Sequence, residues 1–454
     1  KAPARMDAGW KNAEADLGLK HSFDTAGHEL QVDANYVSYD IASLQQFNNY
    51  YYDADGKPLE RAKLFRADLP GTIKIYTAKT DYTRPLGHDD QLEAGLKFSY
   101  VTTDNNAQYL DQVDDAWIKN DSLSNHFLYN EKVGAAYLNY KRKISRWELQ
   151  AGLRLEQTWI KGEQRNGSQT FDRSYLQLFP SAFLTYDLDE ENKVGLSYSR
   201  RIERPDYRSL NPFRFYLDQY TYEEGNPYLQ PQYSHNIELS YMMMEGAITT
   251  TLLYNRTSNV IQDLMLQNTT TKETWQRPEN LNSKQVAGVS INAELPFSDN
   301  MGTVLYVDFN NYKYDGLINN KPFALSTNTF SGKLMQQVKM GHDWKVEFIG
   351  TYTSRAIDGT FIQRPVGTIN VGLQKDLLDN RITFRLNATD IFNWNKFEGT
   401  SRYQNVDIYA LNRWQTQALR FIFTYRFNSG AKLESREKEE PASPEKDRVK
   451  TDQQ

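Results

Sequence analysis

The chain has 454 residues, with 53 Lys and Arg against 58 Asp and Glu for a net charge of −5, and no cysteine. Disulfides and thiolate metal sites are excluded, and no basic run interleaved with aromatics favours nucleic acid. Aromatics are abundant at 30 Tyr, 22 Phe and 8 Trp, yet mean hydropathy is −0.73, and no stretch approaches the roughly 20 apolar residues of a membrane helix. That excludes a helical membrane protein and leaves two-faced strands as the use for so many aromatics.

Period-2 alternation predicts strands at 10–23, 28–41, 72–84, 91–104, 124–142, 146–161, 174–187, 193–202, 233–244, 247–266, 273–296, 303–315, 322–339, 344–355, 360–376, 381–393 and 408–427. In the sixth, Trp147, Leu149, Ala151, Leu153 and Leu155 share one face, opposite Glu148, Gln150, Gly152, Arg154 and Glu156. In the eleventh, Ala287, Val289, Ile291, Ala293 and Leu295 oppose Gly288, Ser290, Asn292 and Glu294. Trp344, Val346 and Phe348 oppose Lys345 and Glu347, and the last strand presents Leu419, Phe421, Phe423, Tyr425 and Phe427.

Alternation alone does not separate a soluble sandwich from a membrane barrel, but the connections do. Tight turns fall at Thr25–Gly27, Asp189–Asn192, Glu245–Gly246, Ser298–Asn300, Gly341–Asp343 and Leu378–Asn380. Long connections fall at 42–70, 105–122, 162–173 and 203–232. Short turns at one end and long loops at the other are the habit of outer-membrane barrels. The fold class expected is therefore all-β, a transmembrane antiparallel β-barrel whose apolar faces meet lipid and whose charged faces line the lumen.

The count is about 17 strands, whereas plugged transporters have roughly 22 and bacterial single-chain barrels an even number. The first residues, Lys1 to Arg5, carry no export signal. The expectation is that 1–427 is the C-terminal portion of a barrel, with N-terminal strands and a plug upstream; a miscounted strand is the alternative. Residues 428–454 hold seven acids and six bases around Pro441 and Pro444. They are expected to be a disordered, charged periplasmic tail or a short exposed helix.

Within 198–231 the chain reads Tyr-Ser-Arg-Arg-Ile-Glu-Arg-Pro-Asp-Tyr-Arg-Ser-Leu-Asn-Pro-Phe and then Gly-Asn-Pro-Tyr-Leu-Gln-Pro. This resembles the signature of an outer-membrane β-barrel family of Bacteroidetes, close to TonB-dependent receptors. The matching residues are Arg201, Arg204, Pro205, Leu210, Asn211, Pro212, Phe213, Gly225, Asn226, Pro227, Leu229 and Pro231. Asn387-Ala388-Thr389-Asp390-Ile391-Phe392-Asn393 resembles a segment on the penultimate strand of such receptors, with Asn387, Asp390 and Phe392 carrying the match. Tyr425-Arg426-Phe427 resembles their closing aromatic strand, although here the chain runs 27 residues beyond Phe427. The resemblance implies an outer-membrane location among lipid, uptake of a large nutrient, and the TonB complex as a partner through a region upstream. A surface lipoprotein is a further partner it implies.

Loop 203–232 is the candidate ligand site. Tyr207, Arg208, Phe213, Arg214, Tyr216, Tyr220 and Tyr222 offer stacking faces and bidentate donors. The alternative is that these aromatics pack against neighbouring loops. Arg201 and Arg204, at a strand exit closed by Pro205, are expected to cross-link the loop to Asp206, Asp218, Glu223, Glu224 or loop carbonyls. Asp53-Ala54-Asp55-Gly56 has Tyr51 where a calcium loop needs an oxygen ligand, and it reads as a turn. The histidines at 21, 28, 88, 126, 235 and 342 show no zinc-ligand spacing. No nucleophile elbow or phosphate-binding loop is present, so neither a cofactor nor catalysis is expected. Trp147, Trp344, Trp394 and Trp414 fit interface girdles. Three functions stand: a transporter or receptor, a structural or secretion-related barrel, and a β-rich enzyme.

Overall fold

A computed structural model describes residues 4–58, 63–87, 89–114, 116–166, 169–218, 220–427 and 442–449. His88 lies outside them. The chain opens with the hairpin β1 (Ala4–Ser22) and β2 (Glu29–Asn49), followed by β3 (Lys63–Asp68), β4 (Gly71–Pro85), β5 (Asp90–Val113) and β6 (Ala116–Lys119). Tall hairpins follow: β7 (Asn125–Ile144) with β8 (Trp147–Gln164), and β9 (Gln169–Asp187) with β10 (Lys193–Glu203). Two short strands, β11 (Arg214–Tyr216) and β12 (Thr221–Glu224), sit in the next connection. The wall resumes with β13 (Gln232–Met243), β14 (Ile248–Gln267), β15 (Thr274–Ser298), β16 (Met301–Ile318), β17 (Lys321–Met340) and β18 (Trp344–Thr353). The last part holds β19 (Ala356–Asp358), β20 (Phe361–Gln363), β21 (Val366–Leu377), β22 (Ile382–Thr389), β23 (Lys396–Tyr403), β24 (Val406–Arg413) and β25 (Ala418–Tyr425).

One sheet of 21 strands contains all of these except β19, β20, β23 and β24, which form a separate four-stranded sheet. Setting aside the short β3, β6, β11 and β12 leaves seventeen staves, each antiparallel to the next in chain order. The ladders run without slippage over long spans, as in β7–β8 from Phe127↔Gln164 to Ile144↔Trp147. Among the described residues no ladder joins β1 to β25.

The turns at one end are tight. Leu378, Asp379 and Asn380 all take positive φ, at 53°, 52° and 65°, so three left-handed residues in a row reverse the chain between β21 and β22. In outer-membrane barrels this end faces the periplasm. At the other end several stretches expected as loops prove to be strand. Residues 42–49 extend β2, 106–113 extend β5, and 162–164 and 169–173 form the top of the β8–β9 hairpin. β3 and β4 make one stave, broken only at Leu69–Pro70, where proline has no ladder N–H. The predicted final strand 408–427 is likewise split into β24 and β25, and these belong to different sheets.

The apolar faces point away from the enclosed side. Leu153 is 50% exposed, whereas Glu156 and Thr158, on the opposite face of β8, are buried beneath chain packed inside. Val289 stands between Leu252 and Phe309 in register, both exposed on the same outer face. Trp147 and Trp344 are exposed at the short-turn end, and Trp394 and Trp414 at the other. These are the two levels a membrane interface requires.

The enclosed face departs from the simple polar-lumen rule. Asp33, Asn35, Thr77 and Ser99 line it lower down, but Val37, Tyr39, Ile73, Ile75, Val101, Phe127 and Tyr129 form an apolar patch higher up. That patch is covered by Tyr207, Leu210 and Leu229 from the 204–231 connection and by Ala442 and Val449 from the C-terminal segment. Residues 442–449, expected in a free periplasmic tail, instead lie inside the wall and carry α1 (Ser443–Lys446). The reason is charge matching. Glu445 meets Lys97 at 2.9 Å, Lys446 meets Glu14 at 3.0 Å, and Arg448 pairs with buried Glu131. Composition reveals that this segment is charged but not that the lumen holds complementary partners.

Spin labels test which face meets lipid. Labels at Leu153 and Val289 in the reconstituted protein are expected to relax with lipid-soluble oxygen, and labels at Arg154 and Ser290 with a water-soluble reagent. The reversed pattern would show that the sheet is inside out.

Candidate functional site

The connection 204–231 folds inward over the apolar patch instead of standing up into solvent. It starts at Arg204 and Pro205. Arg204 pairs with Glu156 and donates to Thr158 Oγ1 at 3.1 Å, both on β8 of the wall. The partners expected from the sequence, Asp206, Asp218, Glu223 and Glu224, are not the ones used. The loop enters the lumen at this point, which brings Arg204 against the Glu156 carboxylate on the wall. Arg201 is exposed in β10, opposite Ser234.

Asp206 then makes a turn, accepting from Ser209 N at 2.7 Å and Ser209 Oγ at 2.8 Å. Tyr207 is 4% exposed and stacks under the Arg448 guanidinium at 4.3 Å. Burial pushes its hydroxyl well above the ordinary tyrosine range. The Arg448 Nε donates to the Pro205 carbonyl at 2.9 Å, and the Tyr207 N–H donates to the Arg448 carbonyl at 3.2 Å. The C-terminal segment and the start of the loop therefore hold each other.

The Gly-Asn-Pro element closes the loop. Gly225 N–H donates to the Asn211 carbonyl at 3.0 Å, and Asn226 N–H to the Ser209 carbonyl at 2.6 Å. A Cβ on Gly225 would lie 2.2 Å from the Asn211 oxygen, so no other residue allows this approach. The Asn226 amide donates to the Pro278 carbonyl at 3.2 Å and to Glu279 at 3.1 Å, tying the clamp to β15, and Pro227 follows directly. Asn211 Oδ1 accepts from Phe213 N at 3.4 Å, and Pro212 lies between them. The family-like motif is thus a backbone clamp.

The seven candidate ligand residues separate into two groups. Tyr222 is buried, stacked on Trp275 at 5.9 Å with Arg214 over its other side at 4.4 Å; burial first, then the nearby carboxylates Glu224 and Glu273 against Arg214, push its hydroxyl up to about 12. Tyr216 packs edge-on to Phe65 at 5.2 Å, and Phe213 packs between two buried clusters. Together with Tyr207 these serve as packing. Arg208, Arg214 and Tyr220 keep surface. Arg208 reaches Glu223 at 3.1 Å and lies over Phe215 at 5.1 Å, while Arg214 stands 3.6 Å from Glu224. Arg208, Phe213 and Arg214 line a cavity of about 260 Å³, and Phe213 and Arg214 also border a larger one of about 790 Å³ toward Lys119 and Asp121. Tyr220, exposed, lines neither. Glu223 and Glu224 belong to the same rim and were not singled out as ligand contacts from the sequence. Their pairing with the arginines at a spacing of ten and fifteen residues is visible only after the loop closes.

The second motif is also structural. Asn387 lies across Gly372, its Oδ1 3.0 Å from where a Cβ there would sit. Asp390 is buried with a φ of 45°; it accepts from Trp394 N at 2.9 Å, Asn395 N at 3.2 Å and the Thr416 hydroxyl. Burial alone would raise its carboxyl, but these donors outweigh it and hold the group below the usual range. The turn carries Phe392 and Trp394 outward, stacked at 4.7 Å. Phe427 is exposed at the end of the last stave. Asp53 makes a turn, its Oδ1 accepting from Asp55 N at 3.0 Å and Lys57 N at 2.8 Å.

Two predictions follow from these contacts. Gly225→Ala and Arg204→Ala in the full-length protein should each raise protease cleavage within 204–231, at a cost of about 1–3 kcal/mol to the loop. Unchanged cleavage would show that neither clamp orders the loop. Asp390 stabilises its turn through a depressed carboxyl. That contribution is complete above the unfolded pKa and is lost as pH falls through the lower folded value. Asp390→Asn should therefore speed amide exchange at Trp394 and Asn395 at pH 7, and the difference from wild type should shrink at strongly acidic pH.

A family profile described as the outer membrane protein beta-barrel family matches residues 21–425. A search of curated proteins finds no match by sequence. Among solved structures, the unliganded ferric citrate transporter FecA superposes with a TM-score of 0.62 at 13% identity, over 92% of this chain and 62% of that one. The siderophore receptor PiuA from Acinetobacter baumannii gives 0.63 at 10%, over 92% and 64%. The ferric-catecholate import receptor Fiu from K12 E. coli gives 0.62 at 12%, over 91% and 64%. The chain thus spans less than two thirds of these receptors, and the likeness is one of fold. With a profile match over most of its length and a wall of the same architecture, the chain belongs to the outer membrane protein beta-barrel family.

Proposed function

We propose that this barrel is the wall of an energy-coupled receptor that takes up a nutrient too large for open pores. The observation that carries this reading is the inward-folded 204–231 loop. It places Arg208 and Arg214 beside a cavity at the lumen mouth, on a scaffold clamped to β8 and β15 of the wall and to the C-terminal segment. A purely structural barrel has no use for a clamped rim of paired arginines and glutamates beside a cavity at its lumen mouth. The solved structures with the same wall architecture are named as importers, which agrees with the proposal. Arg208 and Arg214, each able to exchange its present bond to Glu223 or Glu224, fit the acceptor groups of a polar ligand, and the freed carboxylates fit its donors.

Among the described residues, one edge of β1 and one of β25 have no ladder partner. Lipid satisfies no backbone group, and each one left unpaired costs several kcal/mol. We therefore read the working wall as completed by further strands between these edges, with a plug in the lumen, and the TonB complex as the energy source. A surface lipoprotein beside the mouth would suit a peptide or glycan ligand.

The test is uptake in the native host. Deleting the gene should abolish accumulation of one among ferric siderophores, oligosaccharides, peptides and cobalamin, and collapsing the proton gradient should do the same. Arg208→Ala combined with Arg214→Ala should weaken binding of that ligand about tenfold or more. If no solute depends on the gene, or if uptake persists without the gradient, the barrel is not an energy-coupled receptor.

A further inference from the structure

A concavity of about 780 Å³ lies on the apolar outer face of the wall, away from the lumen. It spans β16, β17, β18 and β21. Register places Val307, Gly332, Tyr352 and Gly367 in one row across these staves, and Leu305, Leu334, Gly350 and Ile369 in the next. The three glycines remove side chains from the middle of a face that elsewhere carries large apolar groups. Phe330, Phe348 and Tyr352 remain as walls around the gap.

The depth of this groove is set by β18. That strand crosses with 10 residues, about one bilayer's worth for a tilted strand. It begins at Trp344 on the short-turn side, and the groove occupies its second half, from Phe348 to Tyr352. The groove therefore faces the outer leaflet. Its upper end meets Trp394, Lys396 and Arg413. Lys396 and Arg413 are direct partners at the base of the β23–β24 hairpin. Trp394 and Trp414 flank them, 51% and 54% exposed, and mark the interface level. Lys396 touches Glu398 at 2.9 Å and Arg364 touches the same carboxylate at 2.6 Å. Two bases thus share one acid while Arg413 stands opposite Lys396 in register, so basic groups outnumber acidic ones in this cluster at headgroup height.

We propose that this groove is a binding site for an anionic acyl lipid of the outer leaflet, with a chain in the glycine-lined trough and the phosphate held by Lys396 and Arg413. An apolar trough accepts any chain, so the basic pair supplies the choice of headgroup. The residues facing outward along the two rows are apolar apart from the Tyr352 hydroxyl, since Lys333, Thr351 and Thr368 alternate to the other face. The polar Asn393, Asn395, Lys396 and Arg413 gather at the upper end, an arrangement that suits a chain with a headgroup better than a soluble or peptide ligand.

The test uses the full-length protein in nanodiscs of mixed phosphatidylglycerol and phosphatidylethanolamine, followed by native mass spectrometry of lipid retained after release into detergent. Wild type should retain phosphatidylglycerol over phosphatidylethanolamine. Lys396→Gln and Arg413→Gln should each reduce that preference about fivefold. Gly332→Leu should abolish retention of both lipids. A Cβ there meets nothing closer than 3.8 Å, so the larger side chain fills the trough without moving backbone. Leu334→Trp, which fills it from the wall, is the second variant should Gly332→Leu lose the heat-modifiable mobility of a folded barrel. Equal retention of the two lipids by wild type, or undiminished retention in a folded trough-filled variant, would overturn the proposal.

Discussion

Inside lipid there is no water to take a backbone hydrogen bond, so every N–H and C=O must find its partner in the sheet. The rest of this molecule depends on that demand. It explains why the staves are long and why their registers hold across spans such as Val286↔Tyr312 to Pro296↔Gly302 without a slip. It also explains where the sheet is allowed to break. The shift between Pro296 and Ser298 occurs at the end of a stave, where water can replace lost bonds. At the Leu69–Pro70 interruption the neighbouring staves supply them, Leu69 N–H donating to the Ser43 carbonyl and Asn106 N–H to the Pro70 carbonyl.

Once the ladder exists, each stave has two faces with opposite duties. The outer face must be apolar and unpartnered. The inner face can hold charge, and here it does so at Lys97, Glu131 and Glu156. Buried ions are costly unless paired; removing one partner of a buried pair costs about 3–5 kcal/mol. The wall carboxylates are paired by arginines from elements that are not part of the wall: Glu156 by Arg204 of the loop and Glu131 by Arg448 of the C-terminal segment. These pairs and the apolar patch beneath them turn the 204–231 loop from a surface loop into a lining of the lumen. The rim that Arg208 and Arg214 form is as rigid as the clamp that carries it.

The outer face is less uniform than lipid contact alone requires. Tryptophans mark both interfaces, and phenylalanine, leucine and tyrosine fill most of the band between them. The glycines on β17, β18 and β21 interrupt that band at one place, directly below a basic pair. Aromatic and branched residues would serve the ladder there better than glycine.

The seventeen staves, the tight turns and the outward apolar faces were legible in the amino-acid order. Strand periodicity and turn chemistry are local properties, and residues such as Trp147 to Leu155 state them within ten positions. The resemblance of the Arg201–Pro231 motif to one family was equally legible. The tops of the strands were not: residues 42–49 and 106–113 look like loop because above the membrane neither face needs to be apolar. Nor was the inner apolar patch, since Val37 and Ile75 alternate in the same way whether they face lipid or a docked loop. The partner of Arg204 and the place of residues 442–449 depend on contacts between positions 46 to more than 300 residues apart. Only closure of the wall around them brings such groups together, and pairing across a lumen leaves no periodic trace in the chain.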